Sequence, residues 1–501
     1  MFRVKHLPLD TLRENVIVIH KQAVRSGNLG FNPLDRAFVF GRDPVSGVTR
    51  EITGVLNFCG DTLLAPDEIG LSEEAFRALA LPEGSPVSAT LAVSPRSVDL
   101  VRAKLRGDRL DRAAYDSILA DVVSGRYSRV ELSMFVLGCA LREMDTDELA
   151  DYTRAMIGTG ALLDFGPAPI ADKHSIGGIP GNRTTMIVVP ILASLGLKIP
   201  KTSSRAITSP AGTADTMSTL AEVGLTPERM REVVGATGGC IAWGGALALA
   251  PADDILITVE RPMEIDTEAQ MVASILAKKK TVGATHVLID IPVGTSAKVR
   301  TQADAERLGG LFHAVAAKVE LKLDVVVTEA RGPVGRGIGP RLEALDVLAV
   351  LRRQSDSPTD LREKSLYLAA RLLEMTGTVA PTAGYRAAEE TLDSGRALEK
   401  FEQIVSAQGA RELIAEAPYR HVVEAQADGR IREIDCWEIA RVAKRAGAPA
   451  NLAAGVLMLA SVGQVVAKGE PIFEFHAESP AQLEFARAYA GARREIVRFG
   501  F

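Results

Sequence analysis

Lysine, serine and threonine gather in two glycine-punctuated stretches that could hold an anion. The first is Lys173-His174-Ser175-Ile176-Gly177-Gly178, and some thirty residues on come Ser203-Ser204-Arg205-Ala206-Ile207-Thr208-Ser209-Pro210-Ala211-Gly212-Thr213. Both read as strand-to-helix turns. Residues 169–172 lead into the first, and Asn182 stands where it could cap an apolar helix over 183–195. A short strand over 197–201 leads into the second, and Thr213-Ala214-Asp215 opens a helix ending near Gly224. Helix N-termini carry unpaired N–H groups and a partial positive charge, so two that converge make a phosphate site. Lys173, Ser175, Ser203, Ser204 and Thr213 supply its side-chain donors.

Other residues carry chemistry with two readings each. His174 is either a structural donor or a group that touches ligand. Arg205 could pair with a surface acid, but its place inside a hydroxyl-rich loop favours a ligand. Asp215 reads as a helix-start charge favoured by the dipole. Asp266, Gln270, Ser274 and Lys278 recur every four residues and share one helix face over 267–280. That face is either an exposed polar stripe, with Asp266 as N-cap and Lys278-Lys279-Lys280 favouring the C-terminal end, or a ligand wall. Asp253-Asp254 fits a helix start better than a magnesium site. Gly335-Arg336-Gly337-Ile338-Gly339 reads as a structural turn, since a lone Gly-x-Gly is weak evidence of a nucleotide loop. Lys298 follows a strand end, where α/β proteins place ligands.

The elements that must position these groups fall into four parts, an α/β protein of several domains. Residues 1–92 read as a β-rich N-terminal domain with strands over 15–19, 37–40, 51–58 and 86–93. Residues 93–160 plus 252–284 read as a discontinuous helical bundle lobe, with Ser128 and Asp145 or Thr146 as caps. Residues 161–251 plus 285–418 alternate strand and helix, including buried strands at 240–243 and 286–291, and imply a large lobe with a mostly parallel sheet. A cleft between these lobes is the expected ligand site. Residues 419–501 read as a small α+β C-terminal domain, with a helix over 435–447 and a hairpin-like tail over 462–475.

Composition narrows the function classes. The 501 residues carry a net charge of -5 despite 58 Lys and Arg, which gives no reason to expect nucleic acid. The start lacks a signal-peptide core, and no apolar run reaches membrane-spanning length, so a cytoplasmic protein is expected without a membrane partner. Four separated cysteines, Cys59, Cys139, Cys240 and Cys436, read as reduced thiols and argue against a zinc site.

These residues resemble the thymidine/pyrimidine nucleoside phosphorylase family, and within it the long-chain (type 2) branch that includes AMP phosphorylases. The resemblance covers essentially the whole chain and rests on the motif pair 172–178 and 203–217. It implies phosphorolysis by a homodimer or larger homo-oligomer, on a small-molecule nucleoside or nucleotide, with inorganic phosphate as co-substrate and no cofactor or metal. It places Lys173, Ser175, Ser203 and Thr213 on phosphate. The AMP phosphorylase pattern puts Gly178, Ser204, Arg205, Ala206, Ile207, Thr208, Ser209, Thr213, Ser274 and Lys298 on nucleotide, with Asp266 as proton donor. The thymidine pattern puts His174, Ser274 and Lys278 on the base. Glu260 or Arg261 falls where that pattern expects an arginine. Ser209-Pro210-Ala211-Gly212 replaces its His-Thr-Gly-Gly segment. These departures lean the expectation towards a nucleoside monophosphate. A magnesium-dependent phosphoribosyltransferase and a non-catalytic nucleotide-binding protein are the rival expectations.

Overall fold

The structure is a computed structural model that describes every residue except 12, 13, 27–29, 168, 207, 208, 494 and 501. The chain divides into two compact units, Met1–Thr159 with Pro251–Met271, and Gly160–Ala250 with Val272–Phe501.

The first unit begins with a closed six-stranded barrel. Its order is Phe2–His6, Glu68–Leu71, Val16–His20, Thr49–Cys59, Arg36–Arg42 and Pro86–Leu91, and the last strand pairs back to the first. Closure leaves no free sheet edge. Val4, Ile17, Ile19, Val39, Leu56 and Ile69 fill the interior, as alternation along each strand dictates. Two of these strands, Phe2–His6 and Glu68–Leu71, escape the sequence reading. One sits at the chain start, and the other is only four residues long with a glycine inside.

Five helices follow: Ser97–Arg106, Arg112–Val123, Arg129–Leu141, Thr146–Gly158 and the returning Pro251–Glu260. The caps are those the sequence offers. Ser128 forms a capping box with Glu131, and Asp145 accepts from the Glu148 N–H. Tyr115, Phe135 and Tyr152 pack ring to ring at 5.0–6.4 Å. Lys104 and Glu148 bury a 2.7 Å ion pair beside the Tyr115 hydroxyl. Barrel and helices are tied by Arg36, which donates to the carbonyls of Tyr127 and Gly125.

The second unit carries a parallel sheet. Lys322–Glu329, His286–Val293 and Ala171–Ser175 lie side by side, and a single parallel bridge from Ile170 to Lys198 leads on to the parallel pair Ile199–Ser203 and Gly239–Trp243. Helix Thr185–Ser194 is apolar on all sides and buried, and packs with the helices Pro340–Leu351, Thr359–Met375 and Arg396–Gln408. The C-terminal region adds a four-stranded antiparallel sheet, a three-stranded one, and the helices Cys436–Arg445 and Pro480–Gly491.

Several local expectations are corrected. Asn182 is not the helix cap: the helix starts at Thr185, with Thr184 at the cap position. The helix opened by Thr213 ends at Ser218, well before Gly224, and the strand before the second turn is Ile199–Ser203 rather than 197–201. Gly337–Ile338 is a two-residue strand paired with Val456 and Leu457, not only a turn. The tail is no hairpin, because Val465–Val466 pairs with Gly429 and Arg430, while Pro471–Ala477 joins the other sheet.

Candidate active site

Alternation along Ala171–Ser175 sends Lys173 and Ser175 to one face of the sheet, and Asp172 and His174 to the other. On the first face the Lys173 amine, 2% exposed, donates to the Thr184 hydroxyl at 2.7 Å, where the buried helix Thr185–Ser194 begins. Thr184 is also within 3.3 Å of the Asn182 side-chain oxygen. A buried ammonium at the positive end of a helix is a place of strong anion affinity. Its charge is costly without one. Burial, with the nearby Lys364, Lys201 and Arg183, lowers the Lys173 pKa to about 7, although Asp290 opposes the fall.

Ser175 sits beside Lys173's face but its hydroxyl donates to Asp290 at 2.5 Å. Asp290 also accepts from Thr328 at 2.7 Å and pairs with Lys364 at 3.1 Å. Burial pushes this carboxyl up, yet Lys364, Lys173 and the two hydroxyl donors outweigh it and hold Asp290 below its ordinary value. Ser175 is therefore wired into a buried carboxylate as well as facing the turn.

The opposite face has another logic. Asp172 pairs with Lys279 at 2.8 Å and with Lys201 at 3.5 Å, all three buried. Burial again lowers the Lys201 pKa to about 7, with Asp172 opposing and Lys279 assisting. His174 lies on this face. Its burial, and then Lys279, Lys201, Lys173 and Lys298, hold the imidazole well below its usual pKa, so the ring is neutral at physiological pH.

The second turn is organised by Asp215. Its carboxylate accepts from the backbone N–H groups of Ala206 at 2.6 Å and Gly212 at 3.0 Å, and pairs with Arg205 at 3.1 Å. The helix-start reading of Asp215 is thus right about place and understates its work. Arg205, half in solvent, lies over the Trp243 ring at 5.1 Å. Trp243 stands opposite Ser203 in the parallel pair. Ser203 donates to the Ser204 carbonyl at 3.2 Å, and Ser209 to the Ala211 carbonyl at 2.9 Å. Ile207 and Thr208 lie outside the described residues.

The two turns touch. Arg183 leaves the first and donates to the Thr213 hydroxyl at 2.8 Å and the Ala211 carbonyl at 2.9 Å. Gly178 takes φ +105°, and a Cβ there would meet the Lys298 backbone nitrogen at 2.9 Å. Glycine at that point lets the first turn press against the loop carrying Lys298, whose side chain is exposed.

Ser274 and Lys278 are half-buried on helix Glu268–Thr281, and Asp266 is exposed just before it. Asp266 is not the cap, since Thr267 accepts from the Gln270 N–H at 3.2 Å. Lys279 is corrected from a solvated helix-end charge to a buried partner of Asp172. Glu260 ends helix Pro251–Glu260 and Arg261 follows it, exposed. Asp253 and Asp254 lie in that helix's first turn, and among the described residues no group of three or more His, Cys, Asp or Glu could hold a metal ion.

Sequence reasoning passes over Arg183, Thr184, Lys201, Trp243, Lys279, Asp290, Glu343 and Lys364. Two of them leave signals. Asp290 is a carboxylate inside the apolar run His286–Val293, and Lys279 falls on the same helical stripe as Val272 and Leu276.

Three consecutive stretches match known families. Residues 98–160 match the helical bundle domain of a glycosyl transferase family and 167–398 its a/b domain, while 430–496 match the C-terminal domain of pyrimidine nucleoside phosphorylases. A Methylococcus capsulatus protein named "Putative thymidine phosphorylase" is 47% identical over 98% of this chain and 94% of its own length. The chain belongs to this thymidine/pyrimidine nucleoside phosphorylase family. A family member of the same name from Rhodopseudomonas palustris is 48% identical, over 98% of this chain and 94% of its own. Membership makes the chain a pentosyltransferase. The fold is also that of anthranilate phosphoribosyltransferase from Thermus thermophilus, with TM-score 0.52 and 18% identity over 62% of this chain and 99% of that one. No helix among the described residues is long and apolar enough to cross a membrane.

Proposed function

We propose that this enzyme cleaves the N-glycosidic bond of a nucleoside or nucleoside 5′-monophosphate with inorganic phosphate, releasing free base and α-pentose 1-phosphate. The observation that carries this reading is the buried Lys173 amine, bonded to Thr184 at a helix start and joined through Arg183 to Thr213 of the second turn. Orthophosphate held there attacks C1′ on the side away from the base. Bond breaking runs ahead of bond making, so positive charge grows on the pentose ring and negative charge on the leaving base. The phosphate dianion stabilises the first. Asp266 is assigned to protonate or hydrogen-bond the base, with Ser274 and Lys278, and such acid help contributes about 10²–10⁴-fold. His174 acts as a neutral ring, giving or taking a hydrogen bond rather than delivering an acidic proton. Lys173, Ser175, Ser203 and Thr213 bind the phosphate, while Gly178, the run 204–209 and Lys298 bind the nucleotide.

The preferred substrate in this reading is AMP, which would yield ribose 1,5-bisphosphate. Arg205 supports it: Asp215 and Trp243 hold a half-exposed guanidinium in the second turn, suited to a second phosphoryl group. Thymidine is the second reading, favoured by the names of the relatives at 47% and 48% identity. No cofactor is needed, because phosphate is the co-substrate, and a homo-oligomer in the cytoplasm is the expected form. The experiment is a chromatographic assay of free base from the purified protein with phosphate and a panel of nucleosides and 5′-monophosphates. Release from AMP with phosphate dependence supports the reading; release from thymidine alone shifts it to the second. Activity that EDTA abolishes would instead favour a magnesium-dependent phosphoribosyltransferase.

A further inference from the structure

Arg183 is 8% exposed, and its guanidinium bonds three residues in two other segments. It donates to the Thr213 hydroxyl at 2.8 Å, to the Ala211 carbonyl at 2.9 Å, and to the carboxylate of Glu343 on helix Pro340–Leu351. Glu343 is itself buried and also accepts from the Thr216 hydroxyl at 3.1 Å and the Gly339 N–H at 3.1 Å. One arginine and one glutamate thus join the first turn, the second turn and the helix behind both.

The direction of the hydrogen bonds matters as much as the connection. A guanidinium has five N–H groups and can only donate. The Thr213 oxygen must therefore accept from Arg183, which turns the single hydroxyl proton away from the arginine and leaves it to be given elsewhere. Thr184 also accepts, from the Lys173 amine, but its own proton goes to the Asn182 side-chain oxygen at 3.3 Å. Ser175 is a further contrast, because its proton goes to Asp290.

We propose that Arg183, braced by Glu343, is a positioning residue that fixes the spacing of the two turns and presets the Thr213 hydroxyl to donate to phosphate. This deepens the phosphorolysis reading and rests on it. Lysine at 183 would keep the charge but lose the fork that reaches Thr213 and Ala211 together. The full-length enzyme carrying Arg183→Lys should raise the KM for phosphate about tenfold or more while the nucleoside or nucleotide KM moves less than about threefold, because this reading assigns the Thr213 hydroxyl to orthophosphate. Thr213→Val removes the same hydroxyl, so the double variant should cost little more than either single one. Arg183→Gln serves in its place if the lysine variant does not fold. Equal rises in both KM values, effects that multiply independently, or unchanged kinetics would each overturn the proposal. A thermal shift with inorganic phosphate alone separates this inference from the reaction. Phosphate should stabilise the wild-type protein and stabilise the Arg183 variant less. Should wild type release no base while that difference holds, the phosphorolysis reading fails and the clamp stands. Equal stabilisation of both proteins removes the clamp and leaves the reaction untouched.

Discussion

The two faces of the five-residue strand Ala171–Ser175 both bury lysine, yet they do different things with it. On one face Lys201 and Lys279 close on the carboxylate of Asp172. On the other, Lys173 donates a hydrogen bond to a threonine hydroxyl at the start of a helix, and Arg183 stands nearby. Buried charge needs either a counter-ion or a reason to wait for one. The Asp172 face has its counter-ion built in and is structural. On the Lys173 face the carboxylate of Asp290 pairs with Lys364 and accepts from Ser175, while the Lys173 amine meets a hydroxyl at a helix end, and an incoming phosphate dianion is what it suits.

The sharpest way to break this comparison is to remove one lysine from each face. Lys173→Ala should lower kcat/KM for phosphate-dependent base release by about 10³-fold or more, since a charged donor to the reacting phosphate is lost. Lys201→Met should lower it less than about tenfold, because Lys201 meets Asp172 rather than ligand. Similar losses in the chromatographic assay would erase the distinction between the faces.

Stability should separate them the other way. Asp172→Asn leaves Lys201 and Lys279 buried without their shared carboxylate, a change expected to cost about 3–5 kcal/mol in urea unfolding. A loss under about 1 kcal/mol would mean that the pair is already well hydrated. The smallest expected effect concerns the second turn. Trp243→Leu removes the ring beneath Arg205, and a partly exposed cation–π contact is worth about 0.5–1 kcal/mol, so the KM for a 5′-monophosphate should rise about two- to fivefold. The KM for the matching nucleoside should hold still; a rise in both would place Trp243 against the base or sugar instead.

Much of this arrangement is legible in the amino-acid sequence alone. The two turns announce themselves because hydroxyl residues, glycine and lysine sit next to each other, and Ser128 with Glu131 spells a capping box outright. The parallel sheet follows from glycine-punctuated apolar runs between helices. What stays hidden depends on distant parts of the chain. Glu343 is 160 positions from Arg183, and no local pattern joins them. Lys279 reads as one of three solvated lysines, and although it shares a stripe with Val272 and Leu276, its partner Asp172 lies in the distant strand Ala171–Ser175. The short barrel strand Glu68–Leu71 is set by its neighbours Phe2–His6 and Val16–His20 rather than by its own four residues. Position alone places Asp215 at a helix start, whereas its bonds to Ala206 and Gly212 exist only once the turn is folded.

Calorimetric titration of inorganic phosphate at about pH 8, in two buffers of different ionisation heat, tests the central claim most directly. With its pKa lowered to about 7, Lys173 in the empty site is mostly neutral at that pH. A bound dianion favours the ammonium and raises the pKa, so the complex holds more protons than the free protein between the two values. Phosphate is already mostly the dianion under these conditions, so the uptake should approach one proton per site and vanish in Lys173→Ala along with most of the affinity. Binding without proton uptake, or unchanged binding in that variant, would contradict a site built around this lysine.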